Sequence, residues 1–289
     1  MVEPVIQEFV ASDNYRLKGR VWIPEKDSVR GTLVVLHGIQ SHSGWYEASC
    51  RQLCEEGYQV FFFDRRGSGL NREQRGDAPH WQRLVQDVVQ ILTWVRADRD
   101  SGEATPLILQ AMSWGAKPAV VVASLRPDLM DGVALLYPGI KARIRPNSLQ
   151  KLQLKLAEKL GVRQKRVEIP LNDPVLFTGD PGWQSFIRND PLALHEVTVS
   201  FLLANRELDR LVDRSAEQMT CPVFCQLAGN DQIIDHRATE AWFHQIRSEH
   251  KRLISYPSAR HTLEFEPQRE QIVADYADWL AGFAASAKI

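Results

Sequence analysis

The chain has 289 residues, 44% hydrophobic and 25% charged, with a formal net charge of −1. Those proportions are ordinary for a globular chain, and the near-zero charge removes any global attraction to nucleic acid. No run of about 18 apolar residues is present, so no spanning helix is expected.

The N-terminal stretch carries Glu3 and Glu8 and lacks an apolar core. It does not resemble a secretion signal, and a cytoplasmic protein is expected. Short apolar, β-branched runs at 21–23, 32–36 and 58–63 read as strands. Others follow at 107–112, 132–137, 223–227 and 253–256. Helical spacing of apolar residues appears between them at 45–56, 81–97, 116–125, 239–248 and 268–283. Near-continuous apolar strands alternating with helices predict an α/β fold, a mostly parallel sheet covered on both faces. The alternation breaks between 139 and 210, where helical segments are punctuated by Pro146, Pro170, Pro174, Pro181 and Pro191. A helical cap, or lid, is therefore expected at 139–210, inserted into a core of 1–138 and 211–289.

Five constellations carry chemistry. The apolar strand 107–112 runs straight into a helix with Ser113 at the junction and Gly115 two residues on. This is the setting of a nucleophile elbow, where a sharp turn lifts a hydroxyl above the sheet. Ala111 stands where the usual motif has glycine, and Trp114 is bulky, so both are expected to narrow a pocket. His37-Gly38-Ile39 follows strand 32–36, and acyl transfer needs two N–H donors for its oxyanion. The backbone amides of Ile39 and Trp114 are the candidates. Asp64-Arg65-Arg66-Gly67-Ser68-Gly69 follows strand 58–63. Arg72 occupies the third glycine position of a dinucleotide motif, so a structural turn is the better reading.

Asp231 follows strand 223–227 and can orient a histidine. Asp235 competes for that role but also reads as a helix N-cap, and Asp231 lies nearer the strand end. His261 follows strand 253–256. His37 and His42 precede Ser113 and suit loop-structuring roles. The order Ser, Asp, His is the order of the α/β-hydrolases. Cys50, Cys54, Cys221 and Cys225 are spaced C-x3-C, wider than a usual structural zinc site, and read as buried free thiols.

Together these motifs resemble the α/β-hydrolase superfamily, in particular its monoglyceride lipase and lysophospholipase (serine aminopeptidase-like) branch. The pieces are His37-Gly38 with His42-Ser43-Gly44-Trp45-Tyr46, Asp64-x-Arg66-Gly67-x-Gly69, the Ser113 elbow, Gly229-x-Asp231 and His261-x-Leu263. The resemblance runs from Phe9 to Phe283 and is weakest in the insertion. It implies a triad of Ser113, Asp231 and His261, no metal, no organic cofactor, and a small acyl ester as substrate. Thioesters, amides and proline-terminal peptides are alternatives on the same scaffold, as is a non-catalytic ligand-binding homologue. Residues 141–166 hold nine basic side chains and one acid, Glu158. That excess is suited to transient contact with an anionic lipid surface.

Overall fold

The computed structural model describes residues 2–25, 29–99 and 105–286. In chain order the principal elements are β1 (Val5–Val10), β2 (Arg16–Trp22), β3 (Gly31–Leu36), α1 (Glu47–Glu55), β4 (Tyr58–Phe63) and α2 (Trp81–Arg99). Then come β5 (Leu107–Met112), α3 (Ala116–Leu125), β6 (Gly132–Leu136), α4 (Ser148–Lys159), β7 (Arg166–Glu168) and α5 (Pro181–Asn189). The chain continues with β8 (Glu196–Thr198), α6 (Val199–Ser215), β9 (Val223–Ala228), α7 (His236–His244), β10 (Lys251–Tyr256) and α8 (Arg269–Ser286).

Eight strands form one sheet in the order β1-β2-β4-β3-β5-β6-β9-β10. The six from β4 to β10 are parallel, and β1 and β2 add an antiparallel edge. The expected parallel sheet is therefore present. The N-terminal edge strand β1 was not anticipated, because three of its six residues, Val5, Ile6 and Val10, are apolar yet exposed.

Side chains alternate across the sheet. Leu107, Leu109 and Ala111 of β5 enter one core with α2, α3 and α6, while Ile108 and Met112 enter the other with α1 and α8. All six residues of β5 are buried. The helices cover both faces, so the carboxyl ends of β3, β5, β9 and β10 lie together at one edge of the sheet, and every candidate residue follows one of them.

Between β6 and β9 the chain builds α4, α5, the small β7–β8 pair and α6. The expected boundary at 210 falls inside α6, which buries Phe201, Ala204, Leu208 and Val212 in the core shared with α2 and α3. Its apolar stripe makes it a core helix over its whole length. Helix α4 differs, because none of its residues is buried. Helix α7 starts at His236 with Asp235 as its N-cap, as the capping reading of Asp235 expected, its carboxylate accepting from Ala238 N–H at 3.0 Å.

The core holds one costly group. Glu264, on the 3-10 turn Leu263–Phe265, is buried and accepts from both the N–H and the hydroxyl of Ser49. Burial pushes its carboxyl up to about 7 from 4.5, against the pull of Ser49 and Arg269. The folded state then holds this proton more tightly than the unfolded chain. Its stabilising effect is complete below about 4.5 and is lost as pH rises through about 7. Urea unfolding of wild type minus Glu264→Gln should therefore show wild type losing on the order of 3 kcal/mol across that window. A difference that stays flat with pH would refute the assignment.

Candidate active site

Strand β5 ends at Met112, and the next residue turns abruptly. Ser113 has φ +47°, a left-handed conformation that side chains rarely adopt. Such a residue costs about 1–3 kcal/mol and persists only where its surroundings enforce it. The enforcement is visible in two glycines. A Cβ on Gly115 would lie 2.7 Å from the His37 carbonyl oxygen and 2.8 Å from that of Leu36. A Cβ on Gly139 would lie 2.9 Å from the Trp114 nitrogen, and the Gly139 N–H donates to the Ser113 carbonyl at 2.7 Å. Sequence reading anticipated Gly115. It missed Gly139, whose only signal is the Tyr-Pro-Gly that follows β6.

The turn presents the Ser113 hydroxyl to a histidine from a distant loop. His261 Nε2 lies 2.8 Å from Ser113 Oγ, and its Nδ1 lies 2.7 Å from Asp231 Oδ2. The other carboxylate oxygen of Asp231 accepts from the N–H groups of Ile233 and Ile234 at 2.8 and 2.9 Å. Those two donors pin the carboxylate, which in turn assigns the His261 proton to Nδ1 and leaves Nε2 to accept from the serine. Ser113, Asp231 and His261 are all buried. The rings of Tyr137 and Phe177 stand edge-on to the imidazole at 5.1 and 6.0 Å. A hydroxyl, an imidazole and a carboxylate linked in this way can carry a proton from oxygen to nitrogen without losing orientation.

Beside this line sits the loop after β3. A Cβ on Gly38 would stand 3.4 Å from Ser113 Cβ and 3.6 Å from its Oγ, so the loop backbone passes within van der Waals reach of the nucleophile. Among the described residues, no turn, loop or side-chain hydrogen bond takes up the N–H of Ile39 or of Trp114. Two unspent donors flanking one hydroxyl suit an oxyanion.

The remaining histidines structure the loop. His37 Nε2 accepts from the Arg65 N–H at 2.9 Å, so Nδ1 carries the proton toward the Gly38 carbonyl at 2.7 Å. Burial and the neighbouring Arg65 cation hold the His37 imidazole well below its usual pKa, hence neutral. His42 Nδ1 accepts from Gly44 N–H, and its Nε2 faces Asp190 at 2.9 Å. Trp45 Nε1–H donates to the same carboxylate at 2.5 Å. Burial alone would raise Asp190, but these donors outweigh it and hold it at about 2. The segment after α5 is thereby tied to the loop that carries His42.

One expectation, that Trp114 narrows the pocket, resolves differently, whereas the turn after β4 is as expected. The Trp114 ring packs toward α6, against Phe201 at 5.2 Å, with its Nε1–H donating to Asn205 at 2.8 Å. Its bulk is therefore turned toward α6. The Gly67-x-Gly69 turn is structural. Gly67 and Gly69 have φ +64° and +52°, and a Cβ on Gly69 would strike the Asp64 carboxylate. That carboxylate accepts from Ser43 N–H and Leu70 N–H, joining the turn to the His42 loop. The four cysteines are buried, and none of them forms a disulfide.

Comparison with known proteins follows the same lines. The sequence profile of the hydrolase family described as serine aminopeptidase, S33, matches residues 27–268. An uncharacterised abhydrolase domain-containing protein of Dictyostelium discoideum is 24% identical over 98% of this chain, which spans only 30% of that protein's length. A putative monoglyceride lipase of Schizosaccharomyces pombe is 23% identical over 91% of this chain and 69% of its own length. The crystal structure of a soluble variant of Saccharomyces cerevisiae monoglyceride lipase superposes with a TM-score of 0.83 at 20% identity, covering 97% of this chain and 96% of the other. Among the described residues, no helix is long and apolar enough to cross a membrane. With the fold shared along nearly its whole length and the family profile spanning most of it, the chain belongs to the serine aminopeptidase S33 family of α/β-hydrolases.

Proposed function

We propose that this chain is a serine hydrolase that cleaves a small carboxylic ester, of the monoacylglycerol or lysophospholipid kind, through an acyl-enzyme. The observation that carries the reading is the unbroken line Asp231–His261–Ser113 ending at the strained turn. As Ser113 Oγ attacks the ester carbonyl, its proton passes to His261 Nε2, and Asp231 stabilises the imidazolium. The oxyanion accepts from the N–H groups of Ile39 and Trp114. Nε2–H then protonates the leaving alcohol, and water repeats the sequence to release the acid.

The names of the relatives, monoglyceride lipases among them, favour an ester. So does the apolar wall beside the imidazole. Phe177 meets Trp45 at 5.9 Å, Trp45 meets Phe186 at 6.1 Å, and Phe186 and Trp183 are partly exposed. This wall suits an acyl chain better than a charged one. We read the segment between β6 and α6 as a cap over the site. The family description names aminopeptidases, so an aminoacyl anilide belongs beside p-nitrophenyl esters of increasing chain length in the assay. A fluorophosphonate should label Ser113, and esters should turn over faster than the anilide. An unlabelled, inactive wild-type protein would sink the reading.

The cap also supplies a surface for substrate-bearing lipid. Leu149, Leu152, Leu156 and Leu160 are between 54% and 68% exposed. At 3.6 residues per turn they fall within an arc of about 80° on α4 and its C-cap. Lys151, Lys155 and Lys159 border that arc, while Leu154 and Ala157, partly buried, occupy the other side. An apolar stripe turned to solvent beside lysines fits an anionic lipid interface. Binding to vesicles of anionic phospholipid should weaken as salt rises, and Leu152→Asp with Leu156→Asp should remove it. Vesicle binding that ignores both changes would refute this part.

A further inference from the structure

Arg65 is a largely enclosed cation without the carboxylate partner such groups normally have. Its neighbour Arg66 pairs with Asp87 at 2.6 Å in the usual way. Among the described residues, no carboxylate lies within ion-pair range of Arg65. Its guanidinium instead donates to two consecutive backbone carbonyls, Gly38 at 3.3 Å through Nη1 and Ile39 at 3.1 Å through Nη2. The group lies beside two rings that pack on each other, 4.6 Å from the centre of Trp114 and 5.1 Å from that of Phe201. Burial lowers its pKa to about 9, so it stays protonated at neutral pH.

The two carbonyls matter because of what shares their peptide planes. In a planar trans peptide the C=O of one residue and the N–H of the next point in opposite directions. The Gly38 carbonyl accepts from both Arg65 Nη1 and His37 Nδ1, which fixes the plane of the Gly38–Ile39 peptide. Gly38 itself lies against Ser113. A carbonyl anchored on the far side leaves the Ile39 N–H aimed across the loop at the reacting centre. We propose that Arg65 is a positioning residue for the oxyanion hole, holding the Ile39 amide through the Gly38 carbonyl and the Trp114 turn through its ring. A charged donor on the carbonyl also polarises the amide it belongs to and strengthens its N–H as a donor. The Arg65 backbone takes part as well, since its N–H fixes the His37 tautomer that supplies the second anchor. Both candidate oxyanion donors thus rest on one side chain that touches neither substrate nor nucleophile. The sequence motif singles out Arg66 and leaves Arg65 as an unassigned position, so this role shows only in the packing.

This inference rests on the reading of Ser113 as nucleophile and of Ile39 as oxyanion donor, and the test separates the two. Arg65→Met and Arg65→Lys are assayed in the full chain with p-nitrophenyl butyrate, together with inhibition by an alkyl trifluoromethyl ketone, which forms a tetrahedral adduct on serine. Losing orientation at one oxyanion donor should lower kcat about 10- to 100-fold in Arg65→Met. KM should stay within about twofold, because the ground-state carbonyl makes little use of the hole. Affinity for the ketone should fall by the same factor as kcat. Lysine brings one compact ammonium in place of a fork, holds one carbonyl, and should lie between the two. It also covers the case in which methionine does not fold. A merely structural role would lower the melting temperature and leave kcat and ketone affinity moving independently. Wild-type kcat and ketone affinity in the folded variants would overturn the proposal while leaving the hydrolase reading intact. If wild-type turnover does not depend on Ser113, the hydrolase reading itself has failed.

Discussion

Ser113→Ala should reduce ester turnover about a million-fold, to what the oxyanion donors and binding alone sustain. The loss is that large because, in the proposed mechanism, the group removed is the one that forms the covalent bond, and the Tyr46 and Ser41 hydroxyls are engaged elsewhere. The hydroxyls of Tyr46 and Ser41 are bonded to each other and to the Gly38 N–H. The folded state should survive, since the site loses one oxygen and alanine meets the same backbone strain at φ +47° as serine. The check is a paired measurement of kcat with p-nitrophenyl butyrate and of the melting temperature. Turnover within tenfold of wild type in a folded Ser113→Ala protein would falsify the mechanism.

Asp231→Asn should cost about 10⁴-fold in kcat with the fold unchanged. Two backbone donors, Ile233 N–H and Ile234 N–H, already face Oδ1. In the variant they keep an oxygen opposite them, so the new NH₂ must point at His261. An NH₂ facing Nδ1 requires that nitrogen to accept, which moves the ring proton to Nε2. A histidine protonated at Nε2 cannot take the serine proton. Raising the pH should restore part of the rate, because the serine alkoxide then forms without the imidazole. Near wild-type kcat at neutral pH would show that Asp231 does not set the tautomer.

Much of this site was legible from local pattern. The apolar run before Ser113 and the glycine after it announce a strand that breaks sharply into a helix, and Gly115 does sit where a side chain would strike β3. The preference for Asp231 over Asp235 followed from distance to the strand end. The structure places Asp231 against His261 and gives Asp235 the cap of α7. Other features had no local signature. Gly139 is one glycine among 17 until the turn at Ser113 is packed against it. The motif marks Arg66, which finds a carboxylate, and says nothing of Arg65, which finds two carbonyls. Glu264 reads as a loop acid, although its side chain is enclosed and bonded to Ser49 of α1, 215 residues away. The Trp114 side chain could have filled a pocket, and its partners Phe201 and Asn205 lie on a helix that sequence spacing had divided at 210.

The amino-acid order by itself determined the alternation of strand and helix and the class of sheet, and it singled out a hydroxyl, an imidazole and a carboxylate as candidates. Those follow from periodicity and turn chemistry, which act over a few residues. Only the tertiary structure decided that Ser113 and His261, 148 residues apart, meet within hydrogen-bond reach, that Arg65 braces the loop beside them, and that the leucines of α4 face outward. Contacts of that kind depend on which faces pack together, and a side chain carries no record of its distant partner until the sheet has brought them side by side.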